Sequence, residues 1–404
     1  MVYYVEKLSP YYKSVSDPED LLYSEDDEIV IVNDNMTNTR THEKKDMRGI
    51  DFGNTWRRFG FQDDGVLKSL ESERITYPEP LYELIVDLEG FNEQTSELRE
   101  RPRKSLYSEF YVPKKSGGLR KIDAPCKELK DALRFLKYIF EDKFHALYHT
   151  SAFAYVKNRG TLDCIKRHQT NESRWFGKYD LSNFFGSTTL EFIMKMFSMV
   201  FPFSEVVKTE RGKKALSTAL ELAILDGGLP QGTPISPLIT NIMMIPIDYK
   251  LSNGLRKFEN QKFVYTRYAD DFLISSKYDF NFREIENFIT EVLASFDAPF
   301  KINSKKTRYG SSAGSNWNLG VMLNKDNEIT IGYKKKRQFK AMLTSFALDT
   351  KNGRPWPLEE VQHLNGIKSY YHMVEGKNID DIVAQIGAKF GVNINKMIKE
   401  QVHA

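Results

Sequence analysis

The fold is decided by one stretch of sequence, Phe263-Val264-Tyr265-Thr266-Arg267-Tyr268-Ala269-Asp270-Asp271-Phe272-Leu273-Ile274-Ser275. It predicts an apolar strand, a turn that carries two carboxylates, and a second apolar strand. Side chains alternate across a strand, so neighbouring acids can point at one place only where the chain reverses. Like charges held together resist joint ionisation, and a divalent cation that prefers hard oxygen ligands, such as Mg²⁺, removes that cost. On these residues alone, an ordinary Asp-Asp turn is an equally good interpretation, because Asp is a common turn former.

The charges are divided unevenly along the 404 residues. Residues 1–100 carry 11 Lys and Arg against 23 Asp and Glu, a formal charge of −12. The remaining residues carry 47 against 32, a formal charge of +15. A basic body behind an acidic front end predicts a polyanion as the partner of the body, and the alternative is an arbitrary asymmetry of a solvated surface. With 41% hydrophobic residues, the chain can bury a sizeable core in two to three subdomains.

The composition also indicates a compartment. Cys126 and Cys164 offer neither a disulfide framework nor a metal-binding spacing, which favours a reducing environment. No apolar run approaches the roughly 18 residues needed to span a bilayer, and the first residues lack the layout of a signal peptide. We therefore expect a soluble, cytoplasmic protein without a membrane partner.

Residues 1–100 give few structural signals. The run Ile29-Val30-Ile31-Val32 predicts a strand, and apolar residues at helical spacing predict a helix between residues 78 and 98. The acidic segment can cover a basic groove or form a solvated face.

A further carboxylate, Asp180, ends the strand-like run that starts at Phe176 and precedes a helix near residues 189–200. An acid at the carboxyl end of a strand is well placed to project into a cleft. The 90 residues between Asp180 and Asp270 suit two strands of one sheet. Of the following pair, Phe184 and Phe185, we expect one to lie in the core.

Two glycine-containing segments flank these acids. Residues 227–241 read Gly-Gly-Leu-Pro-Gln-Gly-Thr-Pro-Ile-Ser-Pro-Leu-Ile-Thr-Asn, a rigid turn with Thr233 or Ser236 capping a helix that continues to about Ile247. Residues 110–122 predict strand, glycine turn and strand, with four cations on one hairpin. Such a hairpin can fold over a triphosphate or be an ordinary exposed hairpin.

These segments resemble the motifs of reverse transcriptases, in the order of that family, over about residues 105–375. Tyr268-Ala269-Asp270-Asp271 resembles the [Y/F]xDD box, residues 229–241 the LPQGxPxSPxxxN box, residues 176–186 motif A, and residues 113–122 the basic fingers hairpin. Residues 302–308 resemble motif D, and residues 318–324 resemble the primer-grip strand pair. Residues 333–340 and 364–371 fit a basic helical thumb.

The resemblance implies an α+β chain with the right-hand polymerase fold: fingers, a palm whose antiparallel sheet is backed by helices, and a helical thumb. We expect an acidic N-terminal extension over residues 1–100, fingers over 101–175, a palm over 176–325 in which 190–228 return to the fingers, and a thumb over 326–404.

The resemblance also implies roles for individual residues. The metal ligands would be Asp180, Leu181, Asp270 and Asp271, around two Mg²⁺ ions for which Mn²⁺ can substitute. Lys306 would be a proton donor or charge clamp at the leaving pyrophosphate. Nucleotide-binding residues would be Lys114, Arg120, Leu181, Phe185, Gln231 and Gly232. Phe185 would be a steric gate against a ribose 2′-hydroxyl and so would favour dNTPs.

Nucleic-acid contacts are expected from basic residues on two segments, Lys157 and Arg159 on the first and Lys334, Lys335, Lys336 and Arg337 on the second. Lys166, Arg167 and His168 are further candidates, although His168 by itself is better explained as a surface or capping residue than as a catalyst.

The implied function is RNA-directed DNA polymerisation, with a structured noncoding RNA as template, cDNA as product, and an effector protein or a second copy of the chain as further partners. The branch with retron and anti-phage defence-associated enzymes fits the length. Retrons show NAxxH where residues 163–168 read Asp-Cys-Ile-Lys-Arg-His, and Val-Thr-Gly where residues 318–320 read Asn-Leu-Gly, so a defence-associated enzyme is preferred over a typical retron. The alternatives are a template-independent or protein-primed nucleotidyl transferase and a non-catalytic RNA-binding scaffold.

Overall fold

The computed structural model describes residues 2–4, 29–31, 79–114, 117–142, 148–258, 260–312 and 320–403. Lys115 of the basic hairpin, Asn318 and Leu319 of the predicted primer grip, and most of the acidic front end lie outside these ranges. The strands are β1 (Val2–Tyr4), β2 (Ile29–Ile31), β3 (Tyr107–Pro113), β4 (Leu119–Pro125), β5 (Trp175–Asp180), β6 (Val264–Tyr268), β7 (Asp271–Ser276), β8 (Arg308–Ser311), β9 (Met322–Leu323) and β10 (Ile329–Thr330). The strand predicted near Ile29 is confirmed, and it pairs in parallel with β1.

Helices form most of the remaining described chain. They are α1 (Glu79–Gln94), α2 (Ser96–Glu100), α3 (Lys127–Asp142), α4 (Thr161–Thr170), α5 (Leu190–Phe197), α6 (Phe203–Val206), α7 (Glu210–Glu221), α8 (Ser236–Met243), α9 (Ile245–Arg256), α10 (Phe282–Ser295), α11 (Tyr333–Lys351), α12 (Leu358–Glu375), α13 (Lys377–Phe390) and α14 (Ile394–His403). A single 3₁₀ turn, Arg103–Leu106, precedes β3 among the described residues. The helix predicted to run to about Ile247 is divided at Met244 into α8 and α9.

A four-stranded antiparallel sheet in the order β6-β7-β5-β8 positions the carboxylates. Strands β6 and β7 form the hairpin predicted from the opening stretch, with Tyr268 opposite Asp271. Strand β5 pairs with β7 so that Asp180 lies opposite Asp271. The two separated acidic segments therefore meet on neighbouring strands, as predicted.

The two faces of this sheet have different surroundings. Because side chains alternate, Tyr179, Phe272 and Ile274 share one face, and they belong to the main apolar core. Phe176 and Leu273 share the opposite face, where they pack with Ile165 of α4 and with Val321 and Leu323 at β9. Lys178, Asp180 and Asp271 are on this second face by register. We call it the cleft face, because Lys178 lines the cleft that is described below.

The main core extends well beyond the sheet. It includes the buried stripe of α10 and residues of α1, α3, α5 and α7 to α9. Leu84, Leu88 and Phe91 of α1 are fully buried in it, and Glu89 accepts two hydrogen bonds from Arg211. The helix predicted between residues 78 and 98 is thus part of the main core, and residue 100 is not an edge of that core.

Helices α11 to α14 have an apolar core of their own, which includes Phe339, Leu343, Phe346, Leu364 and Ile379. It follows the small β9–β10 hairpin, whose strands pair antiparallel. No helix in the described part of the chain is long and apolar enough to cross a membrane.

Candidate active site

The turn between β6 and β7 consists of Ala269 and Asp270. Ala269 has a φ of 57°, in the left-handed region that residues other than Gly rarely occupy. The Asp270 carbonyl accepts a hydrogen bond from the amide of Leu181, at 3.0 Å, which ties the turn to the end of β5. Asp180, Asp270 and Asp271 are therefore brought together at one end of the sheet.

The surroundings of Asp270 at this end of the sheet disfavour the ionised form of its carboxyl group. Burial raises the pKa of its carboxyl to about 6, with further contributions from the charges of Asp271 and Asp180, while Lys306 partly offsets the shift. A carboxyl with a raised pKa beside two other acids is stabilised in its ionised form when a cation is added.

Two lysines contact the other two carboxylates. The Nζ of Lys178 donates to Oδ2 of Asp271 at 2.6 Å, and the Nζ of Lys306 donates to Oδ1 and Oδ2 of Asp180 at 3.0 and 3.1 Å. The hydrogen bond to Asp180 raises the pKa of Lys306. The sequence predicted Lys306 at the site but gave no role to Lys178.

The carboxylates fit a divalent metal in chemistry and in backbone position, since they supply hard oxygen donors from adjacent strands. Within the described residues, however, no group of three acidic, His or Cys side chains converges as a ready-made metal site. The carboxylates of Asp180 and Asp271 are each hydrogen-bonded to a lysine.

A cleft of about 1340 Å³ opens beside these residues. Predicted nucleotide-binding residues line it, namely Lys114, Arg120, Leu181, Phe185 and Gln231. Asp270, Lys178 and Lys306 line it as well. Gly232 is not among the lining residues, and a Cβ at its position would lie 2.8 Å from the Asp123 carbonyl oxygen. It therefore permits close packing of the glycine-rich turn against β4.

The two phenylalanines after Asp180 differ in burial. Phe184 is buried in the main core, Phe185 is half-buried against that core, and both line the cleft. The Phe185 carbonyl accepts a hydrogen bond from the amide of Leu229 at 3.0 Å, which joins this segment to the glycine-rich turn. One phenylalanine in the core is what the sequence predicted.

Arg267, inside the opening stretch, was missed as a functional candidate. Its side chain is fully buried and forms a bidentate pair with the fully buried Asp248 of α9, with N–O distances of 2.8 to 3.1 Å. Its remaining donors reach Asn241 Oδ1 and the carbonyl of Ala269 in the turn between β6 and β7. An Arg within an apolar strand was the available signal, because a buried charge requires a partner.

His168 is also placed differently from the prediction of a surface or capping residue, which is wrong. It is fully buried, and its ring nitrogens contact Ser275 Oγ at 2.5 Å and Thr266 Oγ1 at 2.8 Å. Burial lowers the pKa of His168 to about 3, and the nearby charge of Arg167 lowers it further. His168 therefore braces β6 and β7 from α4 and is unavailable for phosphate.

The predicted nucleic-acid contacts divide into exposed and internally bonded residues. Lys157, Lys334 and Arg337 are exposed. Arg159 donates to the carbonyls of His149 and Ala152, Lys335 donates to the carbonyl of Gly320, and Lys336 pairs with Glu375 at 2.5 Å. The set does not converge in the cleft, since none of these residues lines it.

Comparison with known proteins gives one family match. The family described as "Reverse transcriptase (RNA-dependent DNA polymerase)" matches residues 112–341. The chain is 28% identical to the retron Ec83 reverse transcriptase of Escherichia coli over 320 residues, which cover 75% of this chain and 92% of that protein. It is 29% identical to the retron Ec73 enzyme of Escherichia coli over 231 residues, 56% of this chain and 69% of that protein.

More distant similarities also occur. The retron Mx162 reverse transcriptase of Myxococcus xanthus is 25% identical over 306 residues, 71% of this chain and 62% of that protein. The apo telomerase structure from Candida tropicalis aligns with a TM-score of 0.41 and 14% identity, over 73% of this chain and 61% of that chain.

Proposed function

The chain belongs to the reverse transcriptase family, and from that membership we propose that it copies a structured noncoding RNA into DNA at the site formed by Asp180, Asp270 and Asp271. It is an RNA-directed DNA polymerase with the right-hand polymerase fold, as the sequence predicted. The subdomain limits, the site residues and the identity of the template are parts of the proposal.

The observation that carries the proposal is the pairing of Asp180 with Asp271 beside the Asp270 turn. Asp270 itself lines the cleft that Lys114 and Arg120 also line. Asp180, Asp270, Asp271 and the backbone carbonyl of Leu181 would hold two Mg²⁺ ions. Such ions would lower the pKa of a primer 3′-hydroxyl and neutralise triphosphate charge when bound. The chain's own residues provide the rest of the site.

Each of those residues has a proposed task. Arg120 offers a planar fork and Lys114 a point charge to the triphosphate, which they would orient for in-line attack. Lys306 is within reach of Asp180 and would hold a proton for the leaving pyrophosphate. Phe185, on the cleft wall, would exclude a ribose 2′-hydroxyl, so that dNTPs are the substrates.

The retron relatives refine the proposal. The curated relatives named above are retron reverse transcriptases, and this favours the retron group over the separate defence-associated group that the sequence departures suggested. A noncoding RNA that supplies the template, a role in anti-phage defence, and an effector protein or second copy as partner are proposed with that group.

The primary test is primer extension on an RNA template with full-length protein and Mg²⁺. Asp270→Asn should lower the rate at least about 100-fold, because it removes a charge that would stabilise the reacting state. Asp326→Asn, at an exposed position in the β9–β10 turn, is the matched control and should retain activity. Equal inertness of wild type and Asp270→Asn, with RNA binding intact, would establish the non-catalytic scaffold instead.

The template-independent or protein-primed alternative needs a different measurement. Reactions with each single dNTP, with and without RNA, should give extension only of the nucleotide that the template specifies. Homopolymer synthesis without RNA, or labelled product attached covalently to the protein, would favour the alternative.

A further inference from the structure

Lys178 is a half-buried lysine in the site to which no role was assigned above. It lies on β5 two residues before Asp180, so both side chains are on the cleft face. Its ammonium contacts Asp271 Oδ2 at 2.6 Å, and the two side chains are only 17% and 21% exposed. A lysine held this closely and shielded this well is fixed more firmly than a surface lysine, whose ion pairs are commonly loose.

Lys306 provides an internal comparison. It contacts Asp180, but its side chain is 59% exposed, so solvent competes for its charge. Lys178 is the more enclosed of the two cations. Each lysine thus neutralises one carboxylate of the proposed metal site.

We propose that Lys178 is a resident counter-cation of the metal site, which holds Asp271 while the metal is absent and opposes the binding of a divalent cation. Lys178 would thereby set the cation concentration at which the polymerase becomes active. The inference rests on the proposed function, because it takes Asp271 as a metal ligand.

Two opposite consequences follow from this placement. A positive charge beside Asp271 repels an incoming cation, and its removal strengthens cation binding. Once a divalent cation has bound Asp271, the ammonium of Lys178 is released from that carboxylate. It remains in the cleft that Lys114 and Arg120 also line, where it attracts the nucleotide triphosphate. Removal of the charge therefore strengthens metal binding and weakens nucleotide binding, a combination that general damage to the fold does not produce.

The first experiment measures Mn²⁺ binding to the full-length chain without nucleic acid, by calorimetry and by the paramagnetic resonance of free Mn²⁺. Lys178→Met should bind Mn²⁺ at least about fivefold more tightly than wild type, because a nearby like charge is gone. Lys178→Arg keeps the charge and should stay within about twofold of wild type. Lys195→Met is the matched control, because Lys195 also pairs at 2.6 Å, with Asp297, but does not line the cleft.

The second experiment measures steady-state extension at saturating Mg²⁺. Lys178→Met should raise the KM for dNTP about threefold or more, with a smaller change in kcat, and Lys178→Arg should restore the KM. Unchanged or weaker Mn²⁺ binding by Lys178→Met would overturn the inference. Asp271→Asn separates this failure from that of the proposed site, since undiminished Mn²⁺ binding by Asp271→Asn would refute the site itself.

Discussion

Buried polar side chains fix the strained turn that carries Asp270. Arg267 reaches the Ala269 carbonyl while its charge is balanced by Asp248, and His168 joins Thr266 on β6 to Ser275 on β7. An unpaired buried charge costs several kcal/mol, so the loss of either Arg267 or Asp248 would leave the other residue buried with an unbalanced charge. The position of the Asp270 turn is thus maintained by residues that do not line the cleft.

Acid should destabilise the protein through His168. Its folded-state pKa of about 3 lies below its ordinary value of 6.5, so on acidification the unfolded chain takes up the proton first. The stability is complete above pH 6.5 and is lost as the pH falls towards 3, with a slope of up to about 1.4 kcal/mol per pH unit. Urea unfolding between pH 7.5 and 5 measures this slope. In His168→Gln the slope should be smaller by that amount, and parallel curves for the two proteins would contradict the prediction.

Phe185 should select against ribonucleotides. Phe185→Ala opens the cleft wall and should raise the ratio of NTP to dNTP incorporation at least about tenfold, since steric exclusion is lost. Phe197→Ala is the control: its ring is buried in the main core and does not line the cleft, so this variant should lower stability by about 3–5 kcal/mol without changing selectivity. Single-nucleotide insertion assays with each substrate decide the matter, and an unchanged ratio in Phe185→Ala would exclude the gate.

Among the elements, the glycine-rich turn is held close to the segment after Asp180. A Cβ on Gly228 would lie 2.1 Å from the carbonyl oxygen of Gly186, a backbone atom that cannot rotate away. The Leu229–Phe185 hydrogen bond lies beside this approach. The turn therefore positions the cleft wall through backbone contact, for which glycine is required.

Gly228→Ala should consequently lower the free energy of unfolding by about 1–3 kcal/mol and reduce primer extension, because two backbone segments must separate. Gly366→Ala in α12 is the matched control, since a Cβ there meets nothing within 4 Å. Alanine in a helix interior should stabilise that variant by about 0.5–1 kcal/mol. Urea denaturation gives both values, and equal stability of Gly228→Ala and wild type would show that the close approach is unimportant.

Over the whole molecule, the boundary between acidic and basic parts of the chain does not coincide with the boundaries of the two apolar cores. Residues 101–404 carry the excess of positive charge. The sheet-bearing main core, which also includes residues of α1, and the core of α11 to α14 are separate apolar clusters. At the start of α11, Lys334 and Arg337 are exposed, whereas Lys336 between them pairs with the buried carboxylate of Glu375. Neighbouring lysines of one run thus have different tasks.

RNA binding should weaken steeply with salt because counterions are released from the phosphates. Lys334→Ala and Arg337→Ala should each lower the slope of log K against log salt by about 1 without loss of stability. Lys336→Ala should instead cost about 3 kcal/mol of stability, since it leaves the Glu375 charge buried and unpaired. Filter binding across a salt series, with melting curves, separates the two classes. An equal effect of all three variants on the salt slope would contradict this division.

The sequence by itself determined the hairpin that carries Asp270, its partner strand and the helices around them, because strand and helix periodicity and turn chemistry are local properties of the chain. It also led to Asp180, Asp270 and Asp271 as the proposed site residues, since motif residues can be read along the chain. Only the tertiary structure decided which charged residues are used inside the protein. Lys178, Lys336 and His168 look like ordinary polar residues in the sequence, and Arg267 stands out only by its place in an apolar strand. The contacts of all four depend on partners that folding brings from other elements, in most cases from far along the chain. Whether a charged side chain is neutralised depends on which groups lie beside it in space, and a local sequence pattern does not specify those groups.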